Sequence, residues 1–151
     1  AFSDRWEGRL AGTLAEHKYL DYDASSTLNY DGKIAKQAPQ QIVNAELAWK
    51  PVAGWRVALE VMRLGPYWMN DANTVLYGGH SVFNLRAGWA RGAWELWGKL
   101  INLTDRKYST SASSSYSGTG SYSPDTHNTY TPGDPRTLFV GMAYRFGAAA
   151  R

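Results

Sequence analysis

The side chains that could carry chemistry are few and poorly grouped in this chain. Its three histidines, His17, His80 and His127, stand too far apart for a local metal motif, and none forms a ligand pattern with a carboxylate or second histidine. Cysteine is absent, which removes disulfide frameworks, thiol catalysis and thiolate metal sites. The serine-rich stretch between residues 109 and 123 contains no G-x-S-x-G, so nothing marks a nucleophile. Gly78-Gly79 precedes a strand pattern rather than a helix and reads as a turn, not a phosphate cradle. No catalytic residue, metal site or cofactor is expected, and the chain reads as a non-enzyme.

Composition narrows the remaining classes. Sixteen Lys plus Arg against 13 Asp plus Glu in 151 residues give a net charge of +3, too small and too scattered for nucleic acid. Seven Trp, ten Tyr and four Phe beside 15 Gly favour an all-β chain over a helical one. No stretch approaches the roughly 18 to 20 apolar residues of a spanning helix. The opening Ala1-Phe2-Ser3-Asp4 shows no leader pattern, as expected of a mature domain or a piece of a longer chain.

Periodicity supplies the elements. Six segments alternate apolar and polar residues at period two: about Trp6 to Tyr22, Ile42 to Lys50, Trp55 to Leu64, Val82 to Trp89, Trp94 to Leu103 and Thr137 to Phe146. One face, of 26 residues, carries no charge; the other, of 20, carries nine charges, so each strand has one apolar and one polar side. Pro51 to Gly54 and Ala90 to Ala93 are short enough for hairpin turns. The connections 23–41, 65–81 and 104–136 are long, and the last, rich in Ser, Thr, Gly and Tyr, reads as a solvated mobile loop. Short and long connections alternate, which predicts an antiparallel up-and-down meander with one plain end and one elaborated end.

Alternation does not say which face is inside, but the tryptophans do. Trp6, Trp49, Trp55, Trp89 and Trp94 stand at strand ends next to the short turns, with Tyr144 and Phe146 at the same level. A soluble core scatters its large aromatics, whereas a membrane barrel gathers them where hydrocarbon meets headgroup. The expectation is a transmembrane β-barrel segment with Trp6, Trp49, Trp55, Trp89, Trp94 and Phe146 in the periplasmic girdle. Glu46, Arg56, Glu60, Arg86 and Lys99 then face a lumen. Pairing Trp89 with Trp94 would set Arg86 opposite Trp97 and Asn84 opposite Lys99.

Three stretches, APQQIVNAELAWKPVAGWRVALEV, VFNLRAGWARGAWELWGKLINLTDRKYS and YTPGDPRTLFVGMAYRF, resemble the C-terminal strands of TonB-dependent outer-membrane receptors. The most specific parts are N-L-x-D-x-x-Y, here Asn102-Leu103-Thr104-Asp105-Arg106-Lys107-Tyr108, and PGDPRT, here Pro132 to Thr137. The resemblance implies about six strands of a larger, 22-stranded barrel in the bacterial outer membrane. It also implies an N-terminal plug, import of ferric siderophores or similar chelates, and energy from the TonB complex through an N-terminal box. A last strand ending in alternating aromatics resembles the signal read by the barrel-assembly machinery, although 147–151 follow Phe146 as a short tail. Single-chain barrels start at about eight strands, so residues 1–146 are expected to be the last strands of a longer receptor, with plug and TonB box absent here. Outer-membrane lipid, the chelate, the TonB complex and the assembly machinery are the expected partners. Among the aromatics of the long loops, Trp68, Tyr77, Tyr116 and Tyr122 are the candidate contacts for a planar iron chelate, while Tyr67 and Tyr108 are assigned to an outer aromatic belt. A passive porin-like barrel and an outer-membrane lipid hydrolase are the alternatives.

Overall fold

Strands form where β-branched and aromatic residues alternate with polar ones, and the chain leaves the sheet where Gly, Pro, Asn and Ser accumulate. The computed structural model describes residues 3–147. In chain order the elements are β1 (Trp6–Leu14), β2 (Asp23–Ser25), β3 (Leu28–Asn29), β4 (Gln41–Trp49), β5 (Trp55–Leu64), β6 (Tyr67–Trp68) and β7 (Leu76–Tyr77). They continue with β8 (His80–Arg91), β9 (Trp94–Ile101), β10 (Ser109–Ser114), α1 (Pro124–His127), β11 (Asn128–Pro132) and β12 (Thr137–Tyr144). The six long strands form one antiparallel sheet in the order β1-β4-β5-β8-β9-β12, so each pairs with its neighbours in chain order. The small pairs β2-β3, β6-β7 and β10-β11 lie within the three long connections.

The register carries the period-two pattern across the whole sheet. Gly8, Leu47, Leu59, Leu85, Leu100 and Leu138 stand side by side through six strands. One step toward the short turns lies the row Trp6, Trp49, Val57, Ala87, Gly98 and Val140, and beyond it Trp55, Trp89, Leu96 and Met142. A slip of one residue anywhere would turn a strand's charges into this face. The apolar face is therefore continuous.

Three boundaries differ from the sequence reading. β1 stops at Leu14 rather than running to Tyr22, because the backbone beyond it turns away to bridge Lys18 with Ile34 and to form β2-β3. β8 runs on to Arg91, which pairs with Trp94, so only Gly92 and Ala93 make the turn and Gly92 takes φ 59° at its first position. That shorter turn places Arg86 opposite Lys99 and Gly88 opposite Trp97, not Arg86 opposite Trp97. Asn84 pairs with Glu60 and does not face Lys99. The third difference is the connection 104–136, which is a folded hairpin, β10-β11, with α1 at its tip.

Burial is distributed the wrong way round for a soluble sheet. The buried apolar residues of the six-stranded sheet, Ala48, Ala58 and Val82, all lie on the charged face. On the apolar face Leu47, Trp49, Trp55, Leu59, Leu96, Val140 and Met142 are exposed, with nothing among the described residues packed over them. The accessible surface is 10331 Å², against about 7,600 Å² expected for a compact monomer of this mass. The compact cluster lies instead among the loops, where Tyr67, Met69, Val75 and Ala112 pack with Leu64, Tyr77 and Tyr116. No helix among the described residues is long and apolar enough to cross a membrane.

Candidate functional site

The face opposite the leucine row is built around a charge array. Glu46 of β4 stands directly opposite Glu60 of β5, an arrangement that repels unless cations intervene. Arg56 donates to Glu46 at 2.7 Å and Arg86 meets Glu60 at 2.6 Å, each reaching diagonally across the strand pair. Arg9 lies opposite Glu46 on the β1 side. Lys99 lies opposite Arg86, a like-charge pair, and has no carboxylate within ion-pair distance among the described residues. Four cations thus surround two carboxylates, and the face carries a local positive surplus. Toward the turns Glu7 pairs with Lys50, and Glu95 with Arg145 at 3.4 Å. These pairs are half-exposed, so they order the face more than they stabilise the chain. Trp97 is the one large aromatic of the strands on this side besides Phe139, and its ring lies over Gly141, where a Cβ would come within 2.3 Å of it.

Above this face the three long connections are tied into one cap by side chains that grip backbone. Tyr67 and Tyr77 pair across β6-β7. The Tyr67 hydroxyl donates to the carbonyl of Ala112 at 3.2 Å and accepts from its amide at 2.8 Å. Tyr77 does the same with Ser109, donating at 2.9 Å and accepting at 3.2 Å. Two phenols therefore satisfy β10 as a neighbouring strand would. Burial pushes the Tyr67 hydroxyl above its ordinary pKa. Tyr67→Phe leaves the buried amide of Ala112 without a partner. Its expected cost is about 1 to 3 kcal/mol, read as faster hydrogen exchange at Ala112 with the six-stranded sheet unchanged.

The 15–40 connection joins the cap the same way. Asn73, at φ 55°, accepts from the Ile34 amide and donates to its carbonyl, both at 2.7 Å. Asp71 accepts from Lys36 and from the Tyr19 hydroxyl, both at 2.7 Å. The hydrogen bond to Asp71 raises the Lys36 ammonium pKa, and burial together with the same carboxylate raises that of Tyr19. Asn70 is buried with its amide fully used, by Thr74, Val75 and the carbonyl of Tyr116. Tyr30 closes the ring of contacts by donating to the carbonyl of Ser117 at 2.9 Å.

The two stretches singled out as motifs meet each other at the root of the third loop. Asn102 is buried at φ 49°; it accepts from the Arg106 amide and donates to the carbonyls of Arg106 and Asp134, all within 3.0 Å. Asp105 accepts from the Arg136 amide at 3.2 Å and faces its guanidinium at 3.7 Å. The Tyr108 ring covers Gly133, where a Cβ would fall 2.2 Å from the ring, and the Tyr108 carbonyl accepts from the Gly133 amide at 2.9 Å. Residues about thirty apart in sequence form a single staple.

The sequence-predicted residues divide accordingly. Trp6 and Trp49 stack at 5.8 Å, Trp55 pairs with Trp89, and Trp94, Tyr144 and Phe146 continue the row at 4.7 and 4.8 Å between successive rings. Glu46, Arg56, Glu60, Arg86 and Lys99 share the charged face. Tyr116 and Tyr122 come together at 5.1 Å, with His127 against both. Trp68 is half-buried, its carbonyl accepting from the Gln37 amide, and Tyr77 is held between Ser109 and His80. Tyr67 and Tyr108 do not form an outer belt: Tyr67 is buried under β10, and Tyr108 covers Gly133 with its ring tilted against His80 at 4.6 Å. Sequence reading singles out Asn102 as the head of N-L-x-D-x-x-Y but gives it no structural role, and it misses Asn70 and Asn73.

No protein-family model matches the sequence, and no curated protein matches it. Solved structures do. The ferric yersiniabactin uptake receptor FyuA from Yersinia pestis superposes with a TM-score of 0.68 at 18% identity, over 95% of this chain and 21% of that one. The siderophore receptor PiuA from Acinetobacter baumannii superposes with a TM-score of 0.69 at 16% identity, over 94% of this chain and 20% of that one. This chain spans about a fifth of the length of either receptor. It shares with both the fold of a stretch of β-barrel wall: six successive antiparallel strands with three long connections.

Proposed function

We propose that residues 1–146 are the last strands and extracellular loops of a TonB-dependent outer-membrane receptor that imports ferric siderophores or similar chelates. The observation that carries this reading is the uncovered apolar face. Among the described residues it holds two charges, Arg63 and Arg91, and these stand at opposite limits of it. From Ser81, level with Arg63, to Arg91 is ten residues of β8, about 34 Å of strand. Tilted as barrel strands are, that spans about 26 Å of membrane normal, close to the apolar band of about 25 Å on such barrels.

Lipid takes the place of a core on that side, and the charged face lines the lumen. Its surplus cations favour a ligand with anionic donor groups. Trp68, Tyr77, Tyr116 and Tyr122 are the proposed chelate contacts, with Tyr116 and Tyr122 paired beside His127 toward the tip of the third loop. The plug and TonB box belong to sequence upstream. Of the tail 147–151, residues 148–151 lie outside the described residues. Contact with the TonB complex is assigned to the missing part, and recognition by the assembly machinery to the last strand.

Deleting the full-length gene is expected to abolish uptake of one class of radiolabelled ferric chelate under iron limitation, and removal of TonB to abolish it equally. Uptake that persists without TonB would favour a passive porin-like barrel; unchanged uptake in the deletion strain overturns the reading. Topology has its own check. Single cysteines at Ser115 and Val52 of the full-length protein should differ, Ser115 reacting with an impermeant reagent on intact cells and Val52 not. Labelling at Val52 alone would invert the orientation.

A further inference from the structure

The two guanidiniums of the apolar face have different surroundings. Arg91 ends β8 beside Trp94, at the turn. Arg63 lies between Val43 and Ser81, at the loop-side limit of the leucine-rich band. Its Nε donates to Gln41 Oε1 and its Nη1 to Ser81 Oγ, both at 3.3 Å. Both partners are neutral. Lys50, Arg56, Arg86 and Arg145 are each met by a glutamate, whereas Arg63, like Lys99 on the other face, has no carboxylate within ion-pair distance among the described residues.

The consequence is a group in which donors outnumber acceptors and no acceptor is charged. Gln41 and Ser81 each turn one oxygen lone pair to the guanidinium, and the hydrogens of the Gln41 amide nitrogen and of the Ser81 hydroxyl remain to be donated. Arg63 adds the protons of its second terminal nitrogen. A planar, always-charged fork flanked by two neutral donors suits a tetrahedral oxyanion with several acceptor oxygens. Its height in the fold decides which oxyanion. The site faces outward, away from the lumen, one step above the apolar band, where headgroup phosphates lie when the band is filled by acyl chains.

We propose that Arg63, Gln41 and Ser81 form a binding site for the phosphate of a membrane-lipid headgroup in the loop-side leaflet. The proposal rests on the membrane reading above, and its test separates the two. The full-length receptor and its Arg63→Gln, Arg63→Lys and Arg91→Gln variants are reconstituted in vesicles of a galactolipid, which has no phosphate, containing diphosphoryl or dephosphorylated lipid A. Insertion is followed by heat-modifiable migration, and retained lipid by native mass spectrometry.

Wild type should retain the diphosphoryl form over the dephosphorylated form. Arg63→Gln should lose about tenfold of that preference, the change expected for one hydrogen bond to a charged group. Arg63→Lys should keep only part of it, and Arg91→Gln, on the other side of the bilayer, should keep all of it. If the wild type does not insert, the membrane reading fails. If it inserts and retains both lipids equally, only the phosphate site fails. If inorganic phosphate raises the melting temperature of wild type but not of Arg63→Gln, with no lipid preference, the site takes free phosphate and the lipid proposal is overturned.

Discussion

Leu59→Arg in the full-length protein should fold into bilayers far less well than Glu60→Arg, although the two positions are adjacent. Leu59 sits in the middle of the leucine row, between Leu47 and Leu85, exposed on a face that nothing among the described residues covers. An arginine at the midplane of a barrel's lipid face costs about 2 to 4 kcal/mol, which is roughly 30- to 800-fold in a folding equilibrium. Glu60 points the other way and stands opposite Glu46. Arginine there frees Arg86 of its partner at 2.6 Å but replaces a like-charge pair with an opposite one. Folding yields measured in lipid vesicles should separate the two variants clearly; equal yields would mean that the face assignment is wrong.

Asn102→Ala is expected to unfasten the third loop and leave the strands in place. The buried amide holds the Arg106 amide and the carbonyls of Arg106 and Asp134, and alanine reproduces none of these bonds. Those three bonds contribute about 0.5 to 1.5 kcal/mol each, and alanine also tolerates φ 49° less well than asparagine. Gly133→Val attacks the same junction from the other side, since a Cβ there meets the Tyr108 ring at 2.2 Å. Both variants should show faster amide exchange and earlier proteolysis between Ser109 and Pro132, with β9 and β12 still protected. Loss of protection in β9 and β12 as well would show that the staple supports the wall and not only the loop.

The strands and their faces were legible because period two is a local property, written in each segment by itself. The leucine row and the tryptophan row could be placed on one face before any pairing was known. What failed did so where the answer depended on partners. The first segment reads as running on to Tyr22, yet Glu16, His17 and Lys18 break its alternation and the backbone there is claimed by Lys33, Ile34 and Gln40. The Arg86 neighbour was missed by two positions because a four-residue turn was assumed where Gly92 permits a two-residue one. The serine-rich connection looked mobile because its own residues bury little. Its order comes from Tyr67, Tyr77 and Asn70, more than thirty residues upstream, whose polar atoms bind its backbone and so leave no compositional trace in the loop itself.

Because the third loop is fastened at its root, its tip is free of responsibility for the wall. Asn102, Asp105 and Tyr108 close on Asp134, Arg136 and Gly133 before the hairpin begins. The register of β9 against β12 is therefore set without reference to residues in between. Gly120, at φ 80° with nothing within 4 Å of its missing side chain, marks a point where foreign sequence could be spliced in, at the expense of the Tyr116 hydroxyl's bond to its carbonyl and of the Tyr116–Tyr122 pair beside it. Each doubling of loop length adds only about 0.6 kcal/mol of closure entropy. The loop is in this sense a cassette: an epitope or a peptide tag inserted between Gly120 and Ser121 would be displayed from a frame that does not register its presence.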